Sequence, residues 1–224
     1  MAFILAIETT TKNCSVALFE NATLLALKEH CSDDYSHAEQ LTLFIIEVLQ
    51  ETKLSLKNIN AIAFSKGPGS YTGLRIGAST AKGFCYSLNI PLITISTLKA
   101  MAYEMASIEN FELFCPMIDA RRMEVFSAIY DKDNNQIRGV KADIVNEQTY
   151  NSYLKEEMLF FGDGALKCKK IINDKNAHFL NNIYPSARNL GVLANIKFIK
   201  KDFEDVAYFE PFYLKDFLIR KKTD

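Results

Sequence analysis

The chain has 224 residues, with 26 Lys and Arg against 27 Asp and Glu, and a formal net charge of −1. That balance excludes a protein that holds nucleic acid by bulk electrostatics, so any RNA contact must be local or made through a partner. Apolar content of 49% and charged content of 24% belong to a globular chain able to bury one large core or two smaller ones.

Five cysteines are scattered along the chain and form no Cys-x-x-Cys pair. This fits free thiols in a reducing, cytoplasmic setting better than a disulfide frame or a zinc knuckle. The opening Met1-Ala2-Phe3-Ile4-Leu5-Ala6-Ile7-Glu8 has no basic leader and meets an acid early, so no signal peptide is expected. No stretch is apolar enough over sufficient length to predict a membrane span.

Phe3 to Ile7 predicts a central strand. Asn13 to Phe19 and Leu24 to Glu29 predict a hairpin around Glu20-Asn21. A strand, an acid (Glu8), hydroxyls (Thr9, Thr10, Thr11) and then a hairpin resemble the opening of the actin-like ATPase fold. In that fold the acid orients a hydrated cation and the hydroxyl loop lies near phosphate. The residue types alone also suit an ordinary strand end and turn.

Ser36 to Glu51 predicts a helix, with Ser36 and Glu39 as a capping box. Leu41, Phe44, Ile45, Val48 and Leu49 form its core stripe, while Leu43 and Ile46 project from the other side. Next comes the buried strand Asn60 to Phe64, the loop Ser65 to Gly73 and a helix from Leu74 to Leu88. Gly67 and Gly69, with Pro68 between them, suit a tight turn, and Ser70 or Thr72 suits the helix cap. The loop reads equally as a structural turn or as an anion cradle at a helix start, without the Walker spacing.

This second helix is again two-faced. Leu74, Ala78, Ala81, Cys85 and Leu88 share one side, and Ile76, Thr80, Gly83 and Ser87 the other. Glycine inside a helix costs roughly 1 kcal/mol against alanine, so Gly77 and Gly83 call for a reason, and close approach of another helix supplies one. We expect both helices to pack on their own lobe with one face and on another subunit with the other. The alternative is that they are sandwiched within a single chain.

Pro91 to Ile95 predicts a strand and Ser96-Thr97 the start of a helix through Met105. The pattern breaks at Ser107 to Glu112, which divides the chain into an N-terminal lobe, 1–106, and a C-terminal lobe, 107–224, whose last segment can return to the first. In the second lobe, Leu113 to Ile118 and Val125 to Tyr130 predict paired strands, joined through Asp119, Arg121 and Arg122. Those three residues form either a local salt network or a face toward the cleft. Asn146 to Lys155 predicts a helix, Met158 to Phe161 a strand, and Gly162-Asp163-Gly164-Ala165 a turn into a helix over Leu166 to Ile172. Ala177 to Leu180 predicts a strand, Pro185 to Lys200 a helix, and Phe209 to Leu214 an extended aromatic segment. The basic cluster Arg220-Lys221-Lys222 reads as solvated. The halves share an order of hairpin, helix, strand and helix, so the expected class is α/β with two related lobes, each a mixed sheet with flanking helices.

Six segments together resemble the bacterial TsaB (YeaZ) family over nearly the whole chain. They are Ile4 to Thr10, Ser36-His37-Ala38-Glu39, Gly67 to Gly77, Asp119 to Phe126, Gly162 to Ala165 and Pro211 to Leu214. The resemblance implies an actin-like fold and a role in making threonylcarbamoyladenosine next to the anticodon of tRNAs that read codons beginning with A. It implies a non-catalytic subunit that pairs with a TsaD-like transferase, or with itself, through the two helices, joined by a TsaE-like ATPase. tRNA is then met only through the complex, and no cofactor is implied. Glu8 stands where Asp is more usual in the family and Lys215 where Arg is.

TsaD-like proteins hold a metal with His-x-x-x-His on a helix, since residues four apart share a face. Here Leu41 stands four residues after His37, and His30 and His178 fall outside that helix. We therefore expect no catalytic metal. The competing reading is a stand-alone actin-fold phosphotransferase or carbamoyltransferase using Glu8, Thr9, Thr10, Gly67 and Gly69 beside phosphate. The binding-subunit reading instead assigns Leu43, Ile46, Ile76, Thr80, Gly83 and Ser87 to a partner interface.

Overall fold

The computed structural model describes residues 1–32 and 37–215. Strands β1 (Phe3–Glu8), β2 (Asn13–Glu20) and β3 (Thr23–Cys31) lead to helix α1 (His37–Thr52). Strand β4 (Ala61–Ser65), helix α2 (Tyr71–Leu88), strand β5 (Leu92–Ile95) and helix α3 (Thr97–Ile108) follow. The second half holds β6 (Leu113–Asp119), β7 (Glu124–Asp131), β8 (Gln136–Ile144), β9 (Met158–Phe161), a short α4 (Ala165–Cys168), β10 (Ala177–Leu180) and α5 (Gly191–Lys200).

Two five-stranded sheets form, in the orders β3-β2-β1-β4-β5 and β8-β7-β6-β9-β10. In each, the first three strands are an antiparallel meander and the last two join in parallel. The connectivity is the same in both sheets, which is the duplication expected of the actin-like class.

Strand alternation divides the core as a pleated sheet requires. Leu5 and Ile7 of β1 pack under α1 and α2, against Leu41, Ile45, Leu74 and Ala78. Ile4 and Ala6 face the other way, against Ala187, Leu190 and Ala194. Helix α5 thus lies on the first sheet although it follows the second in sequence. Helix α3 packs Leu98, Met101 and Met105 against Phe114, Ile118 and Phe161 of the second sheet. The chain crosses between the sheets in both directions.

Three local expectations are corrected. Helix α2 begins at Tyr71, three residues before the expected start, because Ser70 Oγ accepts from Gly73 N at 3.3 Å and sets the cap. Residues 146–155 form successive turns and no regular helix. The Asn146 side chain accepts from Gln148 N at 2.9 Å, and Asn146 N donates to Thr149 Oγ1 at 2.9 Å, bonds that compete with helical ones. Beyond Gly164 the helix stops at Cys168, short of Ile172. The Ser36 cap and the Arg220-Lys221-Lys222 cluster lie outside the described residues.

Candidate functional site

Glu8 closes β1 with its side chain inside the molecule, 1% exposed. Its Oε1 accepts from Thr10 N at 2.6 Å and from Thr10 Oγ1 at 2.5 Å. Burial pushes the carboxyl up from 4.5 to about 7, opposed by hydrogen bonds from Ser65 and Thr10. Thr9, Thr10 and Thr11 are buried with it.

The glycine loop is packed directly on this turn. Ser70 N donates to Thr10 O at 2.6 Å and Thr9 Oγ1 to Gly73 O at 2.8 Å. A side chain at Gly69 would overlap Thr10 O, one at Gly73 would overlap Thr9 O, and one at Gly77 would overlap Thr9 Oγ1 and the Phe64 ring. So Gly77 has an in-chain reason, and it is the threonine turn. Gly67 sits at φ 107°, in the left-handed region that favours glycine, and its N–H donates to Thr97 Oγ1 at 3.1 Å. Gly69 is thus packed directly on the turn of Glu8, Thr9 and Thr10, while Gly67 lies against Phe212 O, Leu74 and Thr97 instead. Ser70 N and Gly73 N, which could cradle a phosphate, are spent on Thr10 O and Ser70 Oγ.

The C-terminal segment crosses this loop. Phe212 N donates to Lys66 O at 2.8 Å, the Tyr213 ring lies 4.9 Å from that of Tyr71, and Phe209 meets Phe64 edge-on at 6.1 Å. Lys215 reaches the Glu124 carboxylate of the second sheet.

At the end of β6, Asp119 Oδ1 accepts from Arg121 N at 2.6 Å and from Lys167 Nζ at 2.7 Å. The cation paired with Asp119 is Lys167, so a salt network among Asp119, Arg121 and Arg122 themselves does not form among the described residues. Arg121 and Arg122 are exposed and occupy left-handed backbone.

His37 is buried, and its Nε2 lies 2.7 Å from Thr11 O. Burial lowers its pKa, which favours the neutral ring. Four residues on, Leu41 is core. Among the described residues no group of three His, Cys, Asp or Glu is placed to hold a metal ion.

Helices α1 and α2 lie side by side on one face of the first sheet and present their outer faces to solvent. Leu43 is 56% and Ile46 46% exposed. On α2, Gly83 and Ser87 are exposed and Thr80 is half-buried, its Oγ1 turned back to Ile76 O at 2.9 Å. Nothing lies within 4 Å of where a Gly83 side chain would begin. Ile76 departs from the expected outward placement: it is half-buried and packs on the core. Tyr86, 86% exposed, belongs to this surface and was not predicted. Its place three residues after Gly83, one turn on, is the signal that could have found it.

Two sheets of one connectivity, with a buried acid and hydroxyl turn closing the first strand, define a protein of the actin-like class. Residues 34–222 match the family model described as TsaD, tRNA N6-adenosine threonylcarbamoyltransferase. The tRNA threonylcarbamoyladenosine biosynthesis protein TsaB of Escherichia coli (strain K12) is 31% identical over 228 residues, covering 98% of this chain and 97% of that one. TsaB of Bacillus subtilis (strain 168) is 32% identical over 181 residues, covering 76% and 75%. The structure of YeaZ from Pseudomonas aeruginosa superposes with a TM-score of 0.85 at 24% identity, over 96% of this chain and 100% of that one. The chain belongs to the TsaB family, within the broader group that the TsaD model describes.

Proposed function

We propose that this chain serves tRNA threonylcarbamoyladenosine biosynthesis as a non-catalytic subunit in the cytoplasm, binding a TsaD-like threonylcarbamoyltransferase and supporting its action. The names of the relatives support the pathway. One observation carries the subunit role: α1 exposes Leu43 and Ile46, and α2 exposes Tyr86 and Gly83, where an added side chain would meet nothing within 4 Å. Such a surface of apolar and small side chains suits close approach of a partner's helices. The turn that could have served phosphate chemistry is occupied by internal hydrogen bonds, which weighs against the stand-alone transferase reading. The division at 106 and 107 is likewise our proposed boundary; it falls in the last turn of α3, which packs on the second sheet, while α5 returns to the first.

Sedimentation with and without a TsaD-like chain tests the surface. Ile46→Glu puts a charge into the contact and should abolish both self-pairing and the mixed complex. Assembly unchanged by that substitution would remove the interface from the account.

A further inference from the structure

Strands β4 and β5 run parallel and end side by side, at Ser65 and Ile95. In open α/β sheets, ligands collect beyond the carboxyl ends of such strands. Beyond these two ends lies a cavity of about 300 Å³. Lys66 follows β4 into its wall, Ser96 and Lys99 come from the start of α3, and Tyr130 and Gln136 come from the second sheet. Phe212 of the C-terminal segment closes one side.

The polar groups around this cavity are two ammoniums, two hydroxyls and an amide, and none of the described residues lining it is an acid. Glu204 approaches Lys66 only at 3.9 Å. Lys99 is exposed and takes part in no ion pair among the described residues. Tyr130 is 1% exposed, and its hydroxyl accepts from Gln136 Nε2 at a long 3.4 Å. Burial pushes that phenol up to about 12, so it keeps its proton to donate at neutral pH. Ser96 holds the N-cap position of α3 without making a capping bond. Its Oγ is buried near the Tyr130 hydroxyl and makes no hydrogen bond of ordinary geometry. The N–H groups of Leu98 and Lys99, in the first turn, have no helical acceptor.

The geometry points to this cavity as a binding site for a small phosphate monoester. Lys66 and Lys99 meet its charge, Ser96 and Tyr130 donate to its oxygens, and Phe212 lies against its organic part. The cavity adjoins the glycine loop through Gly67 but is not lined by Glu8, Thr9 or Thr10, and it does not depend on the partner role proposed above.

Calorimetric titration of the purified full chain with inorganic phosphate, AMP and adenosine tests it. Phosphate or AMP should bind saturably at one site, adenosine at least tenfold more weakly than AMP. The Lys66→Gln/Lys99→Gln double variant should weaken that binding at least tenfold, with melting used to confirm the fold. If the double variant melts early, Lys99→Gln alone, at an exposed position, decides by the same criterion. Absence of saturable binding overturns the proposal. So does binding that survives the lysine variants, which marks an adventitious ion only, or adenosine binding as tight as AMP.

Discussion

At the scale of the residue, Glu8 fixes the sign of a pH dependence. Its folded pKa of about 7 lies above the unfolded value of 4.5. The folded state therefore binds the proton more tightly, and this group's stabilising contribution is complete below pH 4.5 and lost as pH rises through about 7. The shift corresponds to about 3 kcal/mol. Glu8→Gln keeps an acceptor for Thr10 and has no charge to bury. It should flatten that part of the denaturation profile and leave the variant more stable than the parent at pH 8, as urea melts across the range would read. The glycines divide as sharply. Gly73→Ala forces a methyl onto Thr9 O and should cost several kcal/mol, on the order of other severe core substitutions. Gly83→Ala meets nothing and should stabilise the isolated chain by about 0.5–1 kcal/mol. The sequence pattern raised both Gly77 and Gly83 as contacts for another helix. It could not tell them apart, because the overlap at Gly77 is with Thr9, far away in the chain.

At the scale of the element, the outer faces of α1 and α2 predict separable effects. Ile46→Glu lies on an exposed position, so it should break association and leave the chain's own stability within about 0.5 kcal/mol. Ile76 packs on the core, so Ile76→Glu should destabilise the chain itself, and any loss of pairing there would be ambiguous. Melting each variant beside its sedimentation separates the two. The helical periods and the apolar strands were legible because 3.6-residue and continuous apolar patterns are direct marks of burial. Strand β8 was not. It is an edge strand with four polar side chains in nine residues, and its Arg138 turns inward to pair with Asp143, bond Ser127 and lie over the Tyr150 ring. Inward charge on an edge strand guards against edge-to-edge pairing and erases the alternation that would have revealed it. Arg138→Met would strand the Asp143 carboxylate, whose side chain is 10% exposed, and should cost about 3–5 kcal/mol in a denaturation melt.

At the scale of the molecule, two sheets of identical connectivity are tied by exchanged helices, α5 onto the first and α3 onto the second. The duplication was readable only in part: the expected order gave two strand-and-helix halves, but its 146–155 helix is a run of turns and its second hairpin lacked β8. The exchange was not readable, because it depends on which face of a sheet remains uncovered once α1 and α2 have taken the other. The closed threonine turn was equally out of reach: sequence places the hydroxyls and glycines near one another but not the bonds they make. In this arrangement the threonine turn is a structural joint holding β1 and the start of α2 together, while the outer faces of α1 and α2 stay exposed. The most direct test is the amount of threonylcarbamoyladenosine formed on tRNA by a TsaD-like transferase and a TsaE-like ATPase with the wild-type chain, with Glu8→Gln, and with no added chain. Product is expected with both forms of the chain and little without it. A Glu8→Gln chain that still joins the complex but yields no product would contradict that expectation.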